Sequence, residues 1–119
     1  MGVKSGAASP ARGEIWDVDL SPTVGREQTG RRPALIVSDN ALNDSPRGLV
    51  VAIPITDTFR DLPTHVPINP PEGGLTKPSV MMTEQVRSIS KDRLIRRHGA
   101  VTPATMNRVD EILRIVLGL

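Results

Sequence analysis

A chain of 119 residues with 38% hydrophobic and 24% charged content has the size and make-up of one globular domain, too short for two separate cores. The absence of cysteine excludes disulfides and cysteine-ligated metals and fits a reducing compartment, so a cytoplasmic protein is expected. Trp16 and Phe59 are the only aromatic residues of the Phe, Trp and Tyr kind, which leaves the core to Val, Ile, Leu, Met and Ala. A formal charge of +2 is too small an excess to drive nonspecific polyanion binding unless the basic residues gather on one face.

Residues 1–11 are small, polar and without pattern, and read as a disordered tail ahead of a domain spanning residues 12–119. The sequence has no apolar run of signal-peptide or membrane-spanning length, so no membrane partner is expected. Arg12 to Leu20 alternates, with Trp16, Val18 and Leu20 on one face and Ile15, Asp17 and Asp19 on the other, the period of a half-buried strand. Ser21 to Arg32 is a polar, glycine-punctuated loop, and Pro33 to Ser38 is the apolar strand it feeds. Asp39 to Gly48 carries turn chemistry throughout. Leu49 to Thr56 is the most apolar strand; Pro54 cannot donate to a ladder, which predicts an edge or a bulge there. Thr64 to Ile68 forms a fourth strand and Ser79 to Ile89 a long fifth one, bent in the middle. Ser90 caps a predicted short helix that ends at Arg97 before Gly99. Thr102 caps a second helix with Pro103 in its first position. Met106, Val109, Ile112, Leu113, Val116 and Leu117 fall on one stripe of that helix. About five strands and two helices predict a mainly β fold: a small barrel or a curled antiparallel sheet with flanking helices.

Metal catalysis has little support. His65 and His98 are distant in sequence, belong to no ligand spacing, and read as structural residues. No nucleophile elbow or phosphate-binding glycine loop is present. What remains is a set of polar groups at the ends of apolar strands. Arg32 opens the second strand, Thr56 closes the third, and Glu84 with Gln85 interrupts the fifth. If the second and third strands are antiparallel neighbours, Arg32 and Thr56 share one end of the sheet. A guanidinium beside a hydroxyl makes a phosphate or oxyanion clamp. Composition and spacing carry the reading as far as an anionic-ligand site.

Six pieces of text in this order resemble the MazF/PemK (Kid) toxins of toxin–antitoxin systems. They are RGEIW at 12–16, P-T-x-G-x-E-Q-x-G-x-R-P at 22–33, ALIVS at 34–38, IPIT at 53–56, LPTHV at 62–66 and EQVRSISKDRL at 84–94. The resemblance implies an SH3-like barrel, a homodimer, and an endoribonuclease needing no cofactor or metal. Its substrate would be single-stranded RNA, often mRNA, cut at short sequences so that growth arrests. A cognate MazE-like antitoxin would neutralise it, with DNA contacted only indirectly through that complex. Transferred by motif position, the family's catalytic arginine falls on Arg32 and its catalytic threonine on Thr56. The acid of the loop falls on Glu27, and that of the later strand on Glu84. Two departures stand out. Kid-type members carry a histidine where this chain has Arg26, and an arginine where it has Met82.

RNA supplies its own nucleophile in the 2′-hydroxyl, so the resemblance implies a 2′,3′-cyclic phosphate and a 5′-hydroxyl as products. Arg32 would stabilise charge on the phosphorane and Thr56 would add a hydrogen bond. Glu27 is the candidate base, or else holds Arg26 or Arg31 in place. Glu84 is either catalytic or structural. With so few aromatic residues, Arg26, Gln28, Arg31, Phe59 and Arg60 are the candidates for RNA binding. Two other classes compete: a CcdB-like gyrase-poisoning binder, and a barrel that holds RNA without cutting it. The complete EQ-x-G-x-RP loop favours the nuclease.

Overall fold

In the computed structural model, which describes residues 9–21, 25 and 30–119, the strand that everything else pairs around is β3 (Leu49–Thr56). Its eight residues are apolar except for Thr56 at the end, as suits a strand covered on both faces. One edge of β3 pairs with β2 (Arg31–Ile36), which pairs with β1 (Glu14–Asp19), which pairs with β7 (Leu94–Ala100). The other edge is shared. Residues Leu49 to Ala52 take β6 (Arg87–Ser90), while Ile55 and Thr56 take β5 (Ser79–Met82), and β5 carries β4 (His65–Ile68) at the far edge. All pairings are antiparallel.

Among the described residues the sheet therefore has seven strands, in the order β4-β5-β3-β2-β1-β7 with β6 beside β5 on β3. It curls but does not close, so the curled-sheet expectation holds and the closed barrel does not. Four sequence expectations need correction. The long fifth strand is two strands, β5 and β6, separated by a 3-10 turn at Thr83–Gln85. Pro54 sits inside the central strand, opposite Ala34 of β2, at the point where the partner on the other side changes from β6 to β5. A missing N–H is tolerated at such a break in the ladder. The expected helix at 90–97 is a strand for most of its length. Ser90 does cap, accepting a 3.1 Å hydrogen bond from Asp92 N, but only one 3-10 turn (Lys91–Arg93) follows. β7 then satisfies the outer edge of β1, whose backbone groups would otherwise lack partners. Finally, the 39–48 segment is not turn throughout: Asp39 caps a short helix, α1 (Asn40–Asn43), by accepting from Ala41 N at 2.9 Å.

The alternation predicted for β1 is present, but both faces carry buried apolar side chains. Ile15 belongs to a cluster with Leu35, Ile53, Ile55, Val66, Met81 and Val109, while Val18 and Leu20 pack with Ala34, Ile36, Val50, Ala52 and Ile89. The first cluster is covered by α2 (Pro103–Leu117), the second by the sheet's own curl. Thr102 caps α2 through Thr105 N at 3.2 Å, and Pro103 takes the first position, as the sequence predicts. No described helix is long and apolar enough to cross a membrane.

Candidate active site

Register brings the two candidate catalytic residues together. β2 and β3 pair Ile36 with Ala52, Leu35 with Ile53 and Ala34 with Pro54, a register that, carried two residues past its last pair, sets Arg32 and Thr56 at the same end of the sheet. Side chains alternate along strands, so Arg32 and Thr56 share the face of Ala34, Pro54 and Ala52. They line a cleft of about 550 Å³ together with Thr58, Arg60, Leu62, His65, Met82, Glu84 and Gln85. The Thr56 hydroxyl oxygen accepts a 3.1 Å bond from Thr58 N, which leaves its own proton available to a ligand.

On the opposite wall Glu84 has both oxygens engaged. Oε1 accepts from the Thr64 hydroxyl at 2.8 Å, and Oε2 lies 3.1 Å from His65 Nε2. The His65 side chain is only 4% exposed, and its Nδ1 is buried with no partner among the described residues. Burial by itself would raise the Glu84 pKa, but hydrogen bonds from Thr64, its own backbone N–H and His65 outweigh that and hold it below the ordinary 4.5. Glu14 and Glu72 behave alike. Burial opposes ionisation of each, and hydrogen bonds outweigh it, chiefly from Arg97 to Glu14 and from Thr105 to Glu72.

The three depressed carboxylates, Glu14, Glu72 and Glu84, make the fold sensitive to acid. Their folded pKa values lie below the unfolded value of 4.5, so the unfolded chain takes up protons first as pH falls. Their stabilisation should be fully present above 4.5 and lost as pH drops through the folded pKa values. Urea midpoints should thus hold from pH 7 to about 5 and decline below; midpoints that rise on acidification would contradict this.

The cleft gathers Arg32, Thr56, Arg60 and Glu84 from the residues predicted by sequence. Arg31 and Phe59 are not in its lining. Arg31 points from the other face of β2, with its guanidinium 3.8 Å from Asp17, and Phe59 is 56% exposed on the loop after β3. Arg26, Glu27 and Gln28 lie outside the described residues. Sequence reasoning missed His65 as a lining residue. Its signal was available: it sits within LPTHV on β4, opposite Met82, two strands from β3. Among the described residues, no group of three or more His, Asp or Glu is placed to hold a metal ion.

Comparison with known proteins places the sequence and the fold. The chain is 40% identical over 109 residues to endoribonuclease EndoA of Bacillus subtilis (strain 168), covering 91% of this chain and 94% of that protein. The crystal structure of MazF (Form-I) from Deinococcus radiodurans superposes with a TM-score of 0.84 at 27% identity, covering 94% of this chain and 99% of the other. An endoribonuclease in complex with its cognate antitoxin, from a mycobacterial species, matches at a TM-score of 0.73 and 35% identity, covering 93% of this chain and 95% of the other. Residues 11–117 match the family described as PemK-like, MazF-like toxin of type II toxin-antitoxin system, and with the fold and the paired strand ends already in place, this chain belongs to that family.

Proposed function

We propose that the chain is a metal-independent, sequence-specific endoribonuclease toxin that cuts single-stranded RNA, mRNA in particular, and so arrests growth. The observation that carries this is the juxtaposition of Arg32 and Thr56 at one end of an open cleft, in a fold whose relatives are named endoribonucleases. The 2′-hydroxyl of the substrate attacks the adjacent phosphorus. A 2′-oxygen–phosphorus bond forms, the bond to the 5′-oxygen breaks, and the departing oxygen takes a proton from solvent water to become a 5′-hydroxyl. Arg32 stabilises the charge of the phosphorane, and its delocalised guanidinium suits two phosphoryl oxygens at once. Thr56 donates one further hydrogen bond. Glu27 takes the 2′-hydroxyl proton. Glu84 is a positioning residue: with a depressed pKa and both oxygens already bonded, it orients His65 and is a weak base. Arg26, Gln28, Arg31, Phe59 and Arg60 contact the RNA flanking the cut.

The exposed apolar side chains support a homodimer. Ile95 on the edge strand β7, and Ile115, Leu117 and Leu119 at the C-terminal end, are 42–84% exposed and offer apolar surface that a second copy would cover. A cognate antitoxin is the expected protein partner, on the pattern of the mycobacterial complex. Light scattering should give the dimer mass at micromolar concentration; a fully active monomer would refute the dimer.

The activity is tested by incubating the protein with long RNA in EDTA and mapping new 5′ ends. Cuts at a recurring short sequence, each leaving a 5′-hydroxyl, are expected. Intact RNA accompanied by trapped gyrase–DNA complexes, or RNA gel shifts without new ends, would favour the competing readings. Thr56→Ala should slow cleavage by about tenfold, the scale of one charge-assisted hydrogen bond. Thr56→Ser should keep most of the rate because the hydroxyl survives. Equal losses in the two variants, measured by single-turnover kinetics, would remove Thr56 from the chemistry.

A further inference from the structure

A second cleft, of about 390 Å³, opens on the other face of the same strand ends. Arg32 and Thr56 face the first cleft, while their chain neighbours Pro33, Ile55 and Asp57 line the second, so the ends of β2 and β3 form a rim shared by both. Pro33, Ile55 and Leu75 give the second cleft an apolar floor, and Lys77, Arg96 and His98 give it a basic edge. Lys77 Nζ lies 3.6 Å from the Asp57 carboxylate, with both side chains more than half exposed. Such a solvated pair is weak and readily exchanged. Arg96 and His98 make no ion pair among the described residues. Two permanent cations, Lys77 and Arg96, against one carboxylate, Asp57, leave the cleft net positive.

The wall of this cleft is held rigidly. The 3-10 turn Glu72–Gly74 lies directly against β7: a Cβ on Gly99 would fall 2.7 Å from the Gly73 carbonyl carbon and 2.9 Å from Gly74 N. Glu72 Oε2 accepts from Thr102 N at 3.0 Å and from the Thr105 hydroxyl at 2.6 Å, tying the turn to the start of α2. Gly74, Leu75 and His98 are thereby fixed relative to one another before any ligand arrives, which lowers the ordering cost of binding.

We propose that this second cleft is a nucleotide subsite for the same RNA strand, an inference that rests on the endoribonuclease reading. The strand crosses the rim made by the ends of β2 and β3. Its scissile phosphate meets Arg32 and Thr56 on one side. A flanking nucleotide enters the second cleft, its phosphate between Lys77 and Arg96 and its base or ribose against Pro33, Ile55 and Leu75. The apolar floor and basic edge match a nucleotide's two halves, and the shared rim supplies the continuity a single strand needs.

The test compares wild type with the Lys77→Ala/Arg96→Ala double variant on RNA oligonucleotides that carry a mapped cleavage site and grow stepwise in both directions. Wild-type KM should fall once the oligonucleotide is long enough to cross the rim, and the double variant should lose most of that gain, about tenfold. The dependence of log KM on log salt should flatten by about 0.7 for the one phosphate that loses its cations. Arg96→Gln alone should flatten it by about half as much, which keeps the test intact if the double variant melts early. Arg108→Ala, on the exposed side of α2, is the remote-charge control and should behave as wild type. If wild type cuts no RNA, the activity reading fails and the subsite with it. If wild type cuts and both proteins gain equally from extension, the subsite alone is refuted. Unchanged RNA kinetics with weakened antitoxin binding would also refute it, and would assign the cleft to the protein partner.

Discussion

Arg32→Ala should give a folded protein whose RNA cleavage is slower by roughly a hundredfold or more, the scale of losing one preorganised donor to a developing oxyanion. The loss should appear in kcat and in kcat/KM alike, because the guanidinium matters most when charge accumulates on the phosphorane. RNA affinity should change little, since basic residues elsewhere hold the backbone. Arg32→Lys should recover only part of the rate: an ammonium keeps the charge but lacks the planar pair of N–H groups. The expected stability effect is small, because Arg32 stands at the strand end beside an open cleft and not within either apolar cluster. A folded Arg32→Ala protein that cuts RNA at the wild-type rate would remove the clamp from the account.

Gly74→Ala should be the most damaging single methyl addition outside the cores. Gly74 has a φ of +76°, a conformation that L side chains rarely adopt, and its missing Cβ points at the His98 carbonyl of β7. Strain at that φ and the forced separation of two backbone segments each cost about 1–3 kcal/mol, so a loss of about 3 kcal/mol is expected. For a domain of this size that lowers Tm by roughly 10 °C or more. The movement would also displace Leu75 and His98 from the second cleft. Gly48→Ala is the comparison: its φ is also positive at +72°, but nothing lies within 4 Å of an added Cβ. It should lose only the conformational part. Equal Tm values for the two variants would show that the contact between the 72–74 turn and β7 contributes nothing.

Much of this is legible in the sequence. The apolar runs after Pro33 and from Leu49, the Thr102–Pro103 helix start, and the placement of Arg32 and Thr56 at one end of neighbouring strands all follow from local patterns and turn residues. The misreadings came where tertiary pairing outweighed local preference. SKDRLIRRHG has a cap, charges and a terminal glycine suited to a short helix, yet the free edge of β1 draws it into a strand, with Arg97 Nε 2.7 Å from Glu14 Oε2 across the pair. Pro54 signalled an edge because a single sequence cannot show that two different strands share one side of β3. His65 has no local signal for its role, since its relation to Glu84, nineteen residues away, exists only through the β4–β5 pairing and the turn that follows it. The second cleft had no local signal at all. Its basic residues come from segments far apart in sequence, and they meet because the Glu72–Gly74 turn docks on β7.

The central claim, that Arg32 and Thr56 serve an attack by the substrate's own 2′-hydroxyl, is tested most directly by changing the RNA and leaving the protein intact. An oligonucleotide carrying a mapped cleavage site is made with a single 2′-deoxy sugar on the 5′ side of the scissile phosphate, and incubated with wild-type protein in EDTA beside its all-ribose twin. The account predicts that the all-ribose strand yields a 2′,3′-cyclic phosphate and a 5′-hydroxyl, while the deoxy strand binds with similar affinity and stays whole. Cleavage of the deoxy strand at an unchanged rate would contradict it.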